Sequence, residues 1–72
     1  MKGGTYPLFE VLDDRTSMPV NIAVWSVRAI YPVKIAGREL TRIEYTNGDA
    51  IDVTEDTTRV IMIFYIGCGG EP

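Results

Sequence analysis

The acidic residues are the side chains of this sequence whose spacing could support catalysis. They form two close groups along the chain: Asp13 with Asp14, and then Asp49, Asp52, Glu55 and Asp56. Paired carboxylates can serve as general acid and general base. The same positions fall in a predicted turn, on a strand face and at a predicted helix start, where acidic residues have structural roles. We therefore interpret both groups as structural.

Other catalytic and metal-binding arrangements are missing from the sequence. There is no histidine to act as a general base, and the one cysteine, Cys68, stands among glycines without a basic neighbour to activate it. A structural zinc site needs about four nitrogen or sulfur ligands, and the acidic residues do not follow the spacing of a calcium-binding EF-hand loop. No glycine pair is followed by the Lys-Ser/Thr of a phosphate-binding loop. We expect a non-enzymatic protein with no cofactor and no metal.

The length and charge of the chain exclude further classes of function. The 72 residues indicate one domain, and 7 basic against 10 acidic residues give a net charge of −3. This charge disfavours non-specific binding to nucleic acids and to anionic membranes. The longest apolar run, at 60–66, is far shorter than the roughly 20 residues of a membrane-spanning helix. With no signal peptide apparent after Lys2, we expect a cytoplasmic protein.

Alternation of apolar and polar residues predicts up to five strands, at 8–13, 18–22, 27–35, 40–45 and about 49–54. A four-residue loop between the first two strands pairs Val11 with Val20 and Phe9 with Ile22, which brings their apolar faces together. Pro19 cannot donate a backbone hydrogen bond, so we expect its strand at an edge of the sheet.

The Asn47-Gly48 pair is typical of a two-residue hairpin turn. A two-residue loop would set the apolar faces of the fourth and fifth strands on opposite sides of the sheet. A three-residue loop at 46–48 instead pairs Ile43 with Ile51 and keeps both apolar faces together. We predict the three-residue loop, with Gly48 as the left-handed residue of a bulged turn.

The third strand is predicted to alternate strictly. Its inward face would then comprise Val27, Ala29, Tyr31, Val33 and Ile35. With that assignment, the requirement that apolar faces agree predicts a loop of three or five residues around Gly37.

The end of the chain allows two interpretations. Thr54 could cap a helix that has acidic residues in its first turn. The apolar run at 60–66 fits one helical face at Val60, Ile63 and Phe64, but its β-branched and aromatic residues are also typical of a buried strand. We predict one or two helical turns from Glu55 and leave open whether 60–66 continues as helix or strand.

The predicted fold is mainly β, of the α+β class: a small antiparallel sheet of four or five strands or a partial barrel, with a short C-terminal helix. Residues 7–66 form the domain, between a flexible arm at 1–6 and a flexible tail at 67–72. The predicted core comprises Phe9, Val11, Val20, Ile22, Val27, Tyr31, Val33, Ile43, Tyr45, Ile51, Val53, Val60 and Phe64.

Two sets of residues are candidates for binding. A basic face comprises Arg28, Lys34, Arg38 and Arg42. Because Glu44 and Asp52 are predicted on that same face, we interpret it as a solvated surface of mixed charge. An apolar set comprises Val24, Trp25, Ile61, Met62 and Tyr65. Tryptophan and tyrosine dominate binding hot spots, and large apolar patches mark interaction sites, so this set is the predicted partner-binding surface.

Residues 19–63 resemble the small FlbD/SwrD-like flagellar and swarming regulators. The shared pattern comprises Val20-Asn21-Ile22, the apolar Ile30 and Val33, Asn47-Gly48, and the strand end with Ile51, Val53 and Glu55. Those proteins are short and non-enzymatic, which the resemblance implies here. In size, acidity and apolar surface the chain is also similar to small phage proteins that bind and inhibit a host enzyme such as RNA polymerase.

The expected function is that of a small regulatory module that binds a protein partner and occludes or remodels it. One alternative is a homo-oligomer that uses the same apolar residues, because a domain of this size often needs an added source of stability. The other is a small nucleic-acid-binding β-barrel that uses the basic face.

Overall fold

The structure, a computed structural model, describes residues 8–68. Its elements are β1 (Leu8–Leu12), β2 (Pro19–Ala23), a 3₁₀ turn (Val24–Ser26), β3 (Val27–Ile35), β4 (Arg38–Tyr45), β5 (Ala50–Val53) and α1 (Thr57–Gly67). The prediction of a mainly β fold with a C-terminal helix is confirmed. The predicted arm at 1–6 and the last residues of the predicted tail, 69–72, lie outside the described residues.

The strands form two antiparallel sheets that meet through β1 and β5. One sheet has the order β1-β2 and the other β3-β4-β5. An isolated bridge between Asp13 and Val53 joins them. At that bridge, the Thr54 amide donates to the Leu12 carbonyl at 3.1 Å, and the Asp14 amide donates to the Asp52 backbone carbonyl at 2.9 Å. β2 and β3 are therefore the outermost strands of the described fold.

The first and last hairpins have the registers that the sequence predicts. Val11 pairs with Val20 and Phe9 with Ile22, which leaves the four-residue loop at 14–17. In the last hairpin, Ile43 pairs with Ile51. The three-residue loop there is closed by the Tyr45 amide, which donates to the Asp49 carbonyl at 2.8 Å. Gly48 has a φ of 97°, the left-handed conformation that the bulged turn requires.

The predicted loop around Gly37 is wrong. β3 and β4 are joined by two residues, Ala36 and Gly37, with φ of 52° and 81°, and Ile35 pairs with Arg38. Positive φ at both central residues matches the right-handed twist of the flanking strands. The prediction failed because the register shifts between Val27 and Ala29, where an extra residue interrupts the alternation that we assumed.

The same bulge corrects the predicted core. Ile30 pairs with the fully buried Ile43. After the bulge, the face of β3 that carries Ile30 is therefore the inward one. Tyr31 and Val33, which we predicted in the core, lie on the opposite face. The observed core cluster comprises Phe9, Val11, Ile22, Val24, Ile43, Val53 and Val60, with Val20, Val27, Ile30, Tyr45, Ile51, Ile63 and Phe64 packed against it. Val24, Ile30 and Ile63 are additions to the predicted set.

The apolar run at 60–66 is helical throughout. Asp56, rather than Thr54, is the N-cap of α1, and its carboxylate accepts from the Arg59 amide at 2.8 Å. The helix ends at Gly67, the first residue of the predicted tail. Its inward face buries Val60, and the rings of Phe64 and Phe9 meet edge to face with centroids 5.8 Å apart. This packing on β1 favours the helix over a strand, because one helical face can fill the core between the sheets.

The connection between β5 and α1 is held by two polar side chains. Thr41 is fully buried, and its hydroxyl donates to the Glu55 carbonyl at 2.8 Å and lies 3.0 Å from the Thr57 hydroxyl. The Glu55 carboxylate accepts from the Leu12 amide, at 3.0 Å from each oxygen. β4, β1 and the start of α1 are therefore fixed relative to one another by residues of this connection.

Replacing the buried hydroxyl should weaken this junction. Thr41→Val keeps the shape of the side chain but leaves the Glu55 carbonyl without its donor. We expect a loss of about 1–2 kcal/mol in the free energy of unfolding, measured by urea denaturation. Thr58→Val, at an exposed position of the same helix, is the matched control. Equal stability of the two variants would contradict a structural role for the Thr41 hydroxyl.

The end of α1 lies close against the 3₁₀ turn. A Cβ added at Gly67 would stand 2.9 Å from Cγ2 of Val24, which is closer than Cβ atoms approach other carbons. Replacing a helical glycine with alanine normally stabilises a helix by about 1 kcal/mol. Here Gly67→Ala should instead destabilise the protein by about 1–3 kcal/mol, because Val24 is buried and β-branched. A raised melting temperature for Gly67→Ala would contradict the close packing of the helix end.

Candidate interaction surface

The side of α1 that faces away from the sheets is apolar. It comprises Ile61, Met62, Tyr65 and Ile66, which expose 47%, 57%, 56% and 50% of their surface and which we call the outer helix face. Their spacing of one, three and four residues places them on one continuous stripe. No charged residue occurs between Arg59 and Cys68, so the stripe is uncharged along its whole length.

The outer helix face exists because the run at 60–66 has no charged residue to turn toward solvent. The inward stripe of α1 is occupied by Val60, Ile63 and Phe64, which pack in the core. A helix that is apolar on all sides needs cover on all sides, and a domain of this size can bury only one of them. The remaining apolar side therefore stays in contact with water.

The size of the outer helix face is notable for so small a protein. Four large side chains that are each about half exposed present on the order of 400 Å² of surface, which is comparable to the largest apolar patch on an ordinary monomer. Such patches are commonly functional.

The 3₁₀ turn adds a second apolar element near the end of α1. Trp25 is 60% exposed, whereas its neighbour Val24 is 8% exposed and belongs to the core. The Ser26 hydroxyl fixes the turn by donating to the Ala23 carbonyl at 2.7 Å. Because Val24 contacts the helix end at Gly67, the turn that carries Trp25 lies beside the C-terminal end of α1.

The predicted apolar set is thus partly corrected. Four of its members are exposed, as a binding surface requires: Trp25, Ile61, Met62 and Tyr65. Val24 is instead buried and packs the 3₁₀ turn against the core. Ile66 and Leu8 are exposed apolar residues that the sequence analysis omitted, at 50% and 52%. The i and i+4 relation of Ile66 to Met62 would have identified it once the run was assigned to a helix.

The predicted basic face is not a free cationic surface. Three of its arginines are paired with carboxylates: Arg28 with Glu44 at 2.8 Å, Arg38 with Asp14 at 2.6 Å, and Arg42 with Asp52 at 2.7 Å. Lys34 lies opposite Glu39 in the register, on the other face of the sheet from Arg42. The bulge in β3 separates Lys34 from the arginines. The remaining arginines and their carboxylates form a surface of mixed charge, as we interpreted it from the sequence.

A polar network connects β3, β4 and β5 on this outer sheet face. The Tyr31 hydroxyl donates to Glu44, which also accepts from Arg28, and these two bonds lower the pKa of Glu44. The same bond to Glu44 raises the pKa of Tyr31. Two hydrogen bonds from Arg42, at 2.7 and 3.0 Å, lower the pKa of Asp52. The carboxylates of this network are therefore held ionised and directed at neighbours in the sheet.

The acidic residues singled out in the sequence have structural partners. Asp13 accepts from the Arg15 amide at 3.0 Å and from Thr16 in the first turn, while Asp56 caps α1. Across residues 8–68, no group of three or more metal-ligating side chains is close enough together to hold a metal ion. Within the same range, no helix is both long and apolar enough to cross a membrane.

The outer edge of β2 carries a proline whose nitrogen faces away from the sheet. The Leu12 amide donates to the Glu55 carboxylate, and the Leu12 carbonyl accepts from the Thr54 amide. Both backbone polar groups of Leu12 therefore point away from β2. Leu12 pairs with Pro19, and this pair is therefore not hydrogen-bonded. Pro19 consequently removes a donor from the open edge, as expected for its predicted edge position.

The outer edge of β3 is interrupted in the same way. The Tyr45 amide donates toward β5, and the alternating residues Ile43 and Thr41 direct their backbones to the same side. Thr41 pairs with Pro32, so Pro32 also turns its nitrogen to the open edge. Prolines at such edges discourage pairing with another strand. The outer helix face is therefore better suited to binding than either sheet edge.

Comparisons with known proteins give no relative for this chain: no family model, no curated protein and no solved structure matches it. The resemblance to FlbD/SwrD-like regulators and to phage inhibitors therefore stays a prediction.

The Arg42–Asp52 pair gives a prediction about pH. The pKa of Asp52 is lower in the folded protein than in the unfolded chain, where it lies near 3.9. The pair therefore adds its full stability when the pH is above the unfolded-state pKa, and this stability is lost as the pH falls through the folded-state pKa. Asp52→Asn should therefore lower the urea midpoint at pH 7, and the difference from wild type should narrow below pH 4. A difference in urea midpoint that stays constant at every pH would contradict this prediction. Arg42→Gln completes a double-mutant cycle that isolates the pair.

Proposed function

We propose that this protein is a small, non-enzymatic module that binds a protein partner through the outer helix face. The observation that supports the proposal best is the exposed apolar stripe of Ile61, Met62, Tyr65 and Ile66. Exposing these side chains to water is unfavourable, and a partner that covers them would gain the hydrophobic free energy. A hydrophobic groove on the partner would accept such a helix through anchors spaced three and four residues apart.

The composition of the surface fits binding to protein better than binding to nucleic acid. Tyr65 and Trp25 are of the residue types that dominate protein–protein hot spots, and Met62 is flexible enough to adapt to an irregular pocket. Binding to nucleic acid needs cations that are available to phosphates. The arginines of the sheet are instead occupied by carboxylates, as the distances of 2.6–2.8 Å indicate.

The finer proposal is regulatory: the module would occlude or remodel its partner in the cytoplasm, as a phage-type inhibitor does with a host enzyme such as RNA polymerase. This proposal rests on the small size, the acidity and the apolar surface of the chain. The rigid seating of α1 on β1 would present the outer helix face without further ordering, which lowers the entropic cost of binding.

A matched pair of methionine variants tests the binding proposal. Met62 lies in the outer helix face and is 57% exposed, while Met18, next to the first turn, is 61% exposed. In a pull-down from bacterial lysate with mass spectrometry, Met62→Glu should lower capture of a stoichiometric partner at least tenfold, because it buries a charge in the interface. Met18→Glu should capture as much as wild type. Equal capture by both variants would contradict the assignment of the surface.

The regulatory proposal has its own measurement. Purified bacterial RNA polymerase is assayed in multi-round transcription with the wild-type protein and with Met62→Glu. Inhibition by wild type that is lost in Met62→Glu would support the inhibitor function. Unchanged transcription at high concentrations of wild type would refute RNA polymerase as the target, and the pull-down would still decide whether the chain binds another protein.

A further inference from the structure

We infer that a second copy of this chain covers the outer helix face when the protein is alone, with the two α1 helices packed antiparallel about a two-fold axis. The inference rests on the proposed function in taking this face as an interface, and it names the occupant of the face in the free protein. A bound partner and the second copy would then exclude each other.

The outer helix face is suited to pairing with itself. A two-fold contact needs only one patch that is complementary to its own copy. The midpoint of the four exposed residues lies between positions 63 and 64, so an antiparallel pair sets Ile61 beside Ile66 of the second copy and Met62 beside Tyr65 of the second copy. Thioether–aromatic contacts are favourable, and no charge on the stripe opposes the pairing.

The charges at the ends of α1 favour the antiparallel arrangement. The last turn of α1 has no basic residue to offset the partial negative charge at the C-terminal end of the helix dipole. Near the other end, Arg59 is exposed and is in no ion pair within residues 8–68. An antiparallel second copy brings each Arg59 to the C-terminal end of the opposite helix, where a cation is stabilising. A parallel pair would bring like ends together.

The exposed area limits the size of the dimer interface. A stable interface of standard size buries about 800 Å² on each partner. The outer helix face supplies on the order of half that area, so the dimer should be weak and reversible rather than permanent. A dimer of that strength can dissociate to let a tighter partner bind.

Sedimentation equilibrium of the full chain from about 1 to 300 µM tests the inference. Wild type should pass from monomer to dimer over this range. Met62→Glu should raise the dissociation constant at least about 30-fold, because both buried charges must be desolvated. Arg59→Glu should raise it about tenfold, while Met18→Glu and Arg15→Glu, the same changes at exposed positions of the first turn region, should leave it unchanged.

The orientation is read from the lone thiol, Cys68. In the antiparallel pair, each Cys68 lies four to five residues from the midpoint, so the two are about 14 Å apart along the helix axis. Nitroxide labels on native Cys68 should therefore give an intermolecular distance beyond about 15 Å by pulsed electron paramagnetic resonance. Closer labels would indicate parallel helices and overturn the arrangement.

The outcomes separate this inference from the proposed function. A monomer throughout the concentration range, or a dimer that Met62→Glu leaves intact, overturns the self-pairing. If the same Met62→Glu variant still loses a captured protein, the binding proposal survives without the dimer. A dimer that dissociates in Met62→Glu, in a protein that captures nothing, supports the self-pairing and overturns the regulatory module.

Discussion

The short connection between β5 and α1 determines the rest of this structure. Among residues 8–68, one bridge, between Asp13 and Val53, joins the two sheets, and a single bridge would leave them free to rotate about that line. The connection prevents this because Glu55 binds the Leu12 amide with its carboxylate and the Thr41 hydroxyl with its carbonyl. One residue is thereby tied to both sheets at the point where the helix begins. The direction in which α1 leaves, and hence which of its sides meets the core, follows from this attachment.

The sequence predicted the hairpins that follow simple alternation, and it failed where the alternation breaks. Pairing apolar faces gave the correct register of Val11 with Val20 and of Ile43 with Ile51. The bulge at the start of β3 has no clear signal in the residues around it, and it shifts every later residue of that strand to the other face. Tyr31 was therefore misplaced, and the loop around Gly37 was predicted with the wrong length.

The candidate surface was partly predictable for a related reason. An uninterrupted apolar run must expose something in a small domain, whether it forms a helix or a strand, so Ile61, Met62 and Tyr65 could be named without deciding between them. The choice itself depends on tertiary packing: Phe64 meets Phe9 and Gly67 meets Val24, which are contacts far apart in the sequence. Capping by Asp56 rather than Thr54 follows from the same anchoring, since Glu55 is already engaged with Leu12.

The two sides of α1 differ in what they contribute to the fold. Val60, Ile63 and Phe64 are constrained by the core, whereas Ile61, Met62, Tyr65 and Ile66 contribute little to holding the sheets together. Substitutions on the outer side can therefore accumulate with small effects on stability. Under the proposed function, the domain would serve as a fixed frame for a variable surface, and a lineage of such proteins would change its binding specificity within a few positions of α1 while the sheets stay the same.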